Sequence, residues 1–124
     1  MVDFDKMNDL VPVIVQDENT KEVLMLGYTN LEAFELTLST GNAWYYSRSR
    51  NKLWMKGESS GNTQKVKQIL TDCDEDTLIF IVKQNGGASC HLGYKSCFFR
   101  EVTKNGLKDI DTNRIFDPKD VYNK

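Results

Sequence analysis

Apolar positions along this chain cluster in short β-branched bursts separated by polar turns. Val11-Pro12-Val13-Ile14-Val15-Gln16 predicts a strand, Asp17-Glu18-Asn19-Thr20 a turn, and Glu22 to Tyr28 a second strand, which together form a hairpin. The spacing then changes to a helical one at Leu31, Phe34 and Leu38. Asn30 stands where a helix N-cap is expected and Gly41 where a left-handed C-terminal residue is expected, so one short helix is predicted from Leu31 to Thr40. Strand-like runs return at Ala43 to Ser47, Lys65 to Thr71, Thr77 to Gln84 and Ser96 to Val102, broken by Gly57, Gly61 and Gly86-Gly87. The pattern predicts an α+β domain: β-rich, with a mainly antiparallel sheet and one short helix. The polar tail from Thr103 to Lys124 fits either a short docking helix or partial disorder.

The 124 residues suit a single domain, spanning 1–124 with that tail included. The apolar runs Val23-Leu24-Met25-Leu26 and Leu78-Ile79-Phe80-Ile81-Val82 are far too short to span a bilayer. The first residues, Met1-Val2-Asp3-Phe4-Asp5, lack the basic and apolar regions of a secretory signal, so a soluble cytoplasmic protein is expected. A net charge of −2 with 27% charged residues gives no sign of a general nucleic-acid or membrane surface. Three cysteines and no export signal argue against a disulfide framework, leaving buried thiols or metal ligands.

Four segments carry candidate chemistry. The first is Asp72-Cys73-Asp74-Glu75-Asp76. In an extended segment Asp72, Asp74 and Asp76 would share one side and Cys73 the other. Carboxylates crowded in this way suit solvent or a hard cation such as Mg²⁺. A calcium loop of the EF-hand type is excluded, because it needs Gly and Glu where the chain has Thr77 and Lys83.

The second segment is Cys90-His91 with Cys97 beyond it. Two thiolates at this spacing can meet one metal across a loop, and Cys73 would complete a three-thiolate site. Three protein ligands leave the fourth position of zinc open, as in catalytic zinc. With His91 as fourth ligand, the zinc would instead be structural, and the residues alone leave both readings open.

Third, Ser47-Arg48-Ser49-Arg50-Asn51-Lys52, followed by Lys56, offers cations and hydroxyls suited to phosphate, or else an exposed basic turn. The neighbouring Trp44, Tyr45, Tyr46 and Trp54 suit sheet core or stacking on a base. Fourth, Gly57-Glu58-Ser59-Ser60-Gly61-Asn62-Thr63-Gln64 reads as a ligand-facing loop or an ordinary turn.

Taken in order, these segments, together with Ser89-Cys90-His91-Leu92-Gly93-Tyr94-Lys95-Ser96-Cys97-Phe98, resemble the phosphoribosyl-AMP cyclohydrolase family from about Leu10 to Val102. The resemblance implies a homodimer with active sites at the subunit interface. It implies zinc on Cys73, Cys90 and Cys97, with thiolates from both chains, and Mg²⁺ on Asp72, Asp74 and Asp76. The implied reaction belongs to histidine biosynthesis. It is the zinc-dependent hydrolysis of the N1–C6 bond in the adenine ring of 1-(5-phosphoribosyl)-AMP, giving the formimino-AICAR ribonucleotide. On that reading His91 is the first candidate for general base and Glu58 the second, while Arg48, Arg50 and Lys52 hold phosphate. The chain departs from the family at Tyr46, Leu92 and Tyr94, none of them a metal ligand.

Two other classes compete. A non-catalytic, zinc-stabilised nucleotide-binding module would use His91 to close the metal site and would unfold on metal removal. A zinc nucleobase deaminase would need a His-x-Glu and Pro-Cys-x-x-Cys pattern, which is absent.

Overall fold

Val11, Val13 and Val15 alternate inward along β1 (Val11–Asp17), and Leu78, Phe80 and Val82 do the same along β6 (Leu78–Gln84). These two strands are parallel neighbours at the centre of a four-stranded sheet, and all six side chains are fully buried. Each such side chain contributes roughly 1.5–3 kcal/mol of transfer free energy. β2 (Val23–Thr29) flanks β1 and β5 (Gln64–Thr71) flanks β6, both antiparallel, giving the order β2-β1-β6-β5. Two antiparallel hairpins complete the strands: β3 (Trp44–Ser47) with β4 (Lys52–Met55), and β7 (Arg100–Thr103) with β8 (Gly106–Asp109). The computed structural model describes residues 2–5, 9–111 and 114–118.

The expected helix forms as α1 (Leu31–Thr40). The Asn30 side chain accepts a hydrogen bond from the Ala33 amide at 2.8 Å, satisfying one of the donors orphaned at a helix start. Gly41 ends the helix at φ 77°, and its amide reaches Thr37 O at 3.0 Å. The buried face differs from the expected apolar stripe. Ala33, Phe34 and Thr37 point inward, whereas Leu31 and Leu38 are exposed. Thr37 explains the rotation: its hydroxyl donates to Ala33 O and accepts from the Trp44 amide, both at 3.0 Å, fastening the helix to β3.

Two further expectations are corrected. Ser96 to Val102 is not one strand. Residues 96–99 are irregular and β7 begins at Arg100, because Ser96 and Cys97 bond sideways to β2 instead of to a ladder partner. The tail forms neither a docking helix nor disorder over its first part. It supplies β8, then returns so that the Ile115 amide donates to Gly93 O at 2.6 Å. Residues 112–113 and 119–124 lie outside the described residues. Among those described, no helix is long and apolar enough to cross a membrane.

The four-stranded sheet and the β3–β4 hairpin are joined through Gln64, which is fully buried. Its carbonyl accepts from the Ala43 amide at 2.9 Å, just before β3. Its side-chain oxygen accepts from the Tyr45 hydroxyl at 2.5 Å, and its amide donates to Gln84 at 2.9 Å and contacts the Met25 sulfur. Gly27 makes room for this arrangement, since a Cβ there would stand 2.8 Å from the Tyr45 ring. Replacing Gln64 by Leu strands the Tyr45 hydroxyl and the Gln84 carbonyl in the core. The expected cost is about 1–3 kcal/mol, read as a lowered urea midpoint at constant slope. An unchanged midpoint would show that this bridge adds nothing net.

Candidate active site

The β3–β4 hairpin turns at Arg48 to Asn51, where Asn51 takes φ 52° and receives the Tyr46 hydroxyl on its side chain. The hairpin thus carries basic residues at its tip and aromatic ones along its length. Tyr45 faces the core against Trp54 and Phe80, with ring centroids 5.1 and 6.0 Å away. On one side of the hairpin opens a cleft of about 390 Å³. It is lined by Arg50, Lys52, Trp54 and Lys56 from the hairpin, by Glu58 to Ser60 from the glycine-flanked loop, and by His91. Thus both proposed acid–base residues, His91 and Glu58, and two of the three proposed phosphate contacts share one cavity.

Cys90 and Cys97 lie beside that cleft. The segment around them closes on itself through Ser89 N to Lys95 O at 2.9 Å and Cys90 N to Tyr94 O at 3.1 Å. It is tied to β2 by Cys97 N to Leu24 O at 2.7 Å and by the Ser96 hydroxyl to Val23 O at 2.7 Å. The two sulfurs are near neighbours: burial first, then the charge of Cys90, push the Cys97 thiol up to about 11, against the pull of the Lys56 ammonium. The Cys97 thiol is therefore protonated at neutral pH without a metal. Desolvation lowers Lys56 from its ordinary value, opposed by Cys97 and Cys90. Its ammonium donates to Ser89 O and lies 5.9 Å from the centre of the Trp54 ring. Burial, then Cys97, raise the Tyr45 phenol.

Asp72 to Asp76 form a turn, not the extended segment considered above. The Asp72 carboxylate accepts from the amides of Asp76 and Thr77 at 3.0 and 3.2 Å, and Glu75 adopts φ 62° to close the loop. The turn brings Asp72, Asp74 and Asp76 together more closely than a strand would, with their oxygens all within 4.8 Å of one another. Partial desolvation and then the charges of Asp74 and Asp72 raise the Asp76 carboxyl above its ordinary value. A cluster of hard oxygen donors on a short loop is the donor set of Mg²⁺ or Ca²⁺.

Within one chain the candidate residues do not all gather in one place. Cys73 is exposed in the acidic turn and does not join Cys90 and Cys97. Among the described residues no three-cysteine cluster forms, and His91 does not complete one either. Arg48 leaves the other basic residues: its guanidinium carbon sits 3.9 Å from the centre of the Tyr28 ring, in a separate and more open cleft. Tyr94 is structural, buried and stacked on Phe99 with centroids 3.9 Å apart, while Leu92 is exposed. Lys56, taken from the sequence together with the basic segment as a phosphate contact or part of an exposed turn, is half-buried and donates to Ser89 O. The available signal was β4 itself, since alternation puts Lys52, Trp54 and Lys56 on one face, the face that lines the cleft.

Comparison with known proteins covers all of these clusters. The pattern of the family described as phosphoribosyl-AMP cyclohydrolase matches residues 25–99. A relative of that name from Desulforapulum autotrophicum is 56% identical over 121 residues, covering 98% of this chain and 97% of its own. One from Nitratidesulfovibrio vulgaris is 54% identical over 120 residues, 97% and 94% of the two chains. One from Geotalea uraniireducens is 51% identical over 123 residues, 99% and 98%. Matches of this extent and identity, over a chain that also folds its thiol pair, acidic turn and basic cleft as described, show that it belongs to the phosphoribosyl-AMP cyclohydrolase family.

Proposed function

We propose that the chain is a phosphoribosyl-AMP cyclohydrolase of histidine biosynthesis, a hydrolase acting on 1-(5-phosphoribosyl)-AMP. The observation that carries this reading is the cleft beside the Cys90–Cys97 pair, in which His91 and Glu58 meet Arg50 and Lys52. The reaction adds water across one ring bond: oxygen joins C6, the C6–N1 bond breaks, and a proton reaches N1. C6 and its exocyclic nitrogen become a carboxamide. His91, which lines the cleft, accepts the proton from the attacking water, imidazole being the side chain most often used for that task. Glu58 is the second candidate for that role. Arg50 and Lys52 bind phosphate by charge-assisted hydrogen bonds and hold the purine against the aromatic wall.

The donor chemistry fits two metals. Thiolates suit zinc, and the Asp72–Asp74–Asp76 oxygens suit Mg²⁺. Cys90 and Cys97 with Cys73 of the partner subunit would hold zinc, leaving one coordination position open. When bound, zinc supplies Lewis acidity at C6. A homodimer with shared sites is supported by the separation of Cys73 from the other two thiols within one chain. It is also supported by the apolar side chains of Val102, Leu107 and Ile110, left exposed on and beside the β7–β8 hairpin. A structural four-ligand zinc in one chain has less support, because His91 lines the cleft and does not complete a ligand cluster.

Purified protein incubated with phosphoribosyl-AMP should open the ring, followed by ultraviolet absorbance, and a zinc chelator should abolish turnover. Intact substrate after prolonged incubation would remove the reading. His91→Ala should keep zinc and its melting temperature yet lose about 10²–10⁴ in kcat, the usual worth of a general base. Loss of zinc and stability together would make His91 a ligand instead. If sites are shared, mixing inactive Cys73→Ala with inactive Cys97→Ala under subunit exchange should restore activity. A fully active monomer by sedimentation would contradict sharing.

A further inference from the structure

The basic segment does not form one anion patch. Arg50 and Lys52 line the cleft that holds His91 and Glu58, whereas Arg48 lines a second, more open cleft of about 550 Å³ with Gly27, Tyr28 and Tyr46. The two clefts share Ser47 and Trp54, so they abut along the hairpin with one aromatic wall between them. Arg48 is already placed, its guanidinium carbon 3.9 Å from the Tyr28 ring centre. Stacking of this kind uses the face of the guanidinium and leaves its N–H edge for paired bonds to an oxyanion.

Resting on the function proposed above, we propose that the two clefts are separate subsites for the two phosphorylated ribose arms of one substrate, with the purine lying across Trp54. The chemistry of the substrate calls for such a division. N1 and N9 sit at opposite ends of the purine, so arms attached there diverge. Two phosphate dianions repel each other less when each has its own counter-charge in its own cleft. The broken bond is N1–C6, and the acid–base residues His91 and Glu58 line the Arg50–Lys52 cleft. The N1 arm therefore belongs in that cleft and the N9 arm in the Arg48 cleft. This division makes Arg48 the contact for any adenosine 5′-phosphate and makes Arg50 and Lys52 the residues that select for the second arm. Mononucleotides that lack the N1 arm then fill only half of the site.

AMP, which carries only the N9 arm, separates the subsites. Arg48 and Arg50 are both exposed, so their replacement by Ala leaves the fold intact. AMP binding to the metal-loaded protein is measured by calorimetry, and turnover of phosphoribosyl-AMP by initial rates. Arg48→Ala should weaken AMP about tenfold or more, the effect of losing a charged hydrogen bond. Arg50→Ala should leave AMP affinity unchanged while lowering kcat/KM for phosphoribosyl-AMP about tenfold. Equal weakening of AMP by both variants would mean one common anion patch and overturn the division. So would AMP binding insensitive to Arg48→Ala, or no AMP binding to the unaltered protein at millimolar concentration. Absence of phosphoribosyl-AMP turnover by the unaltered protein would instead remove the proposed reaction, and the calorimetric result would still report on the Arg48 cleft.

Discussion

The arrangement of the site depends on one buried side chain. Gln64 has no contact with water, yet both ends of its amide are satisfied, by Tyr45 on one side and Gln84 on the other. Burying an amide without partners would cost several kcal/mol, so the position is tolerable only when β3 and β6 present those partners together. That condition fixes the small β3–β4 sheet against the large sheet. Everything on the hairpin then inherits its place: Trp54 tilted against Tyr45, Lys56 beside Ser89, and the basic tip above. The backbone reinforces the joint, since Ala43 bonds to Gln64 O, Val66 to Gly41 O and Lys56 to Ala43 O.

Charge is sorted around this frame by its hardness. Hard carboxylates gather in the turn between β5 and β6, where solvent tempers their repulsion. Soft thiols gather at the edge of β2, where burial pushes the Cys97 thiol up. Between thiols and cleft stands Lys56, an ammonium whose desolvation cost is offset by a carbonyl and by the electron-rich face of Trp54. Each cluster alone is an ordinary feature. The thiols and Lys56 meet beside the cleft because the fold brings the β2 edge and the hairpin together, whereas the acidic turn lies at the other end of β5 and β6 and lines neither cleft.

Local signals in the sequence were legible wherever the physics is local. The capped helix was readable because Asn30 and Gly41 act on their own backbone neighbours, and β1 because a β-branched run needs no distant partner to be extended. The buried face of α1 was not readable, because the bond from Thr37 to Trp44 crosses from one element to another and outweighs the Leu31–Leu38 stripe. The acidic turn was readable in composition and not in shape: a strand's alternation and a carboxylate-capped loop both place three aspartates together. Ser96 to Val102 misled because its β-branched and aromatic content favours a strand, while its hydrogen bonds go to β2 through a hydroxyl and a single amide.

The division of the basic segment shows why spacing alone underdetermines a binding site. In a regular strand Arg48, Arg50 and Lys52 would all project to one face, since they are two residues apart. That would have made the single phosphate patch that the sequence suggests. The chain reverses between β3 and β4, and at a reversal the two-residue rule no longer holds. Arg50 and Arg48 then leave the hairpin on different sides, one toward His91 and the other toward Tyr28. The aromatic residue facing Tyr45 across the hairpin, Trp54, becomes the wall that both sides share. A tight turn has thus converted one run of like charges, which would repel one another on a common face, into two cation-bearing surfaces separated by a ring.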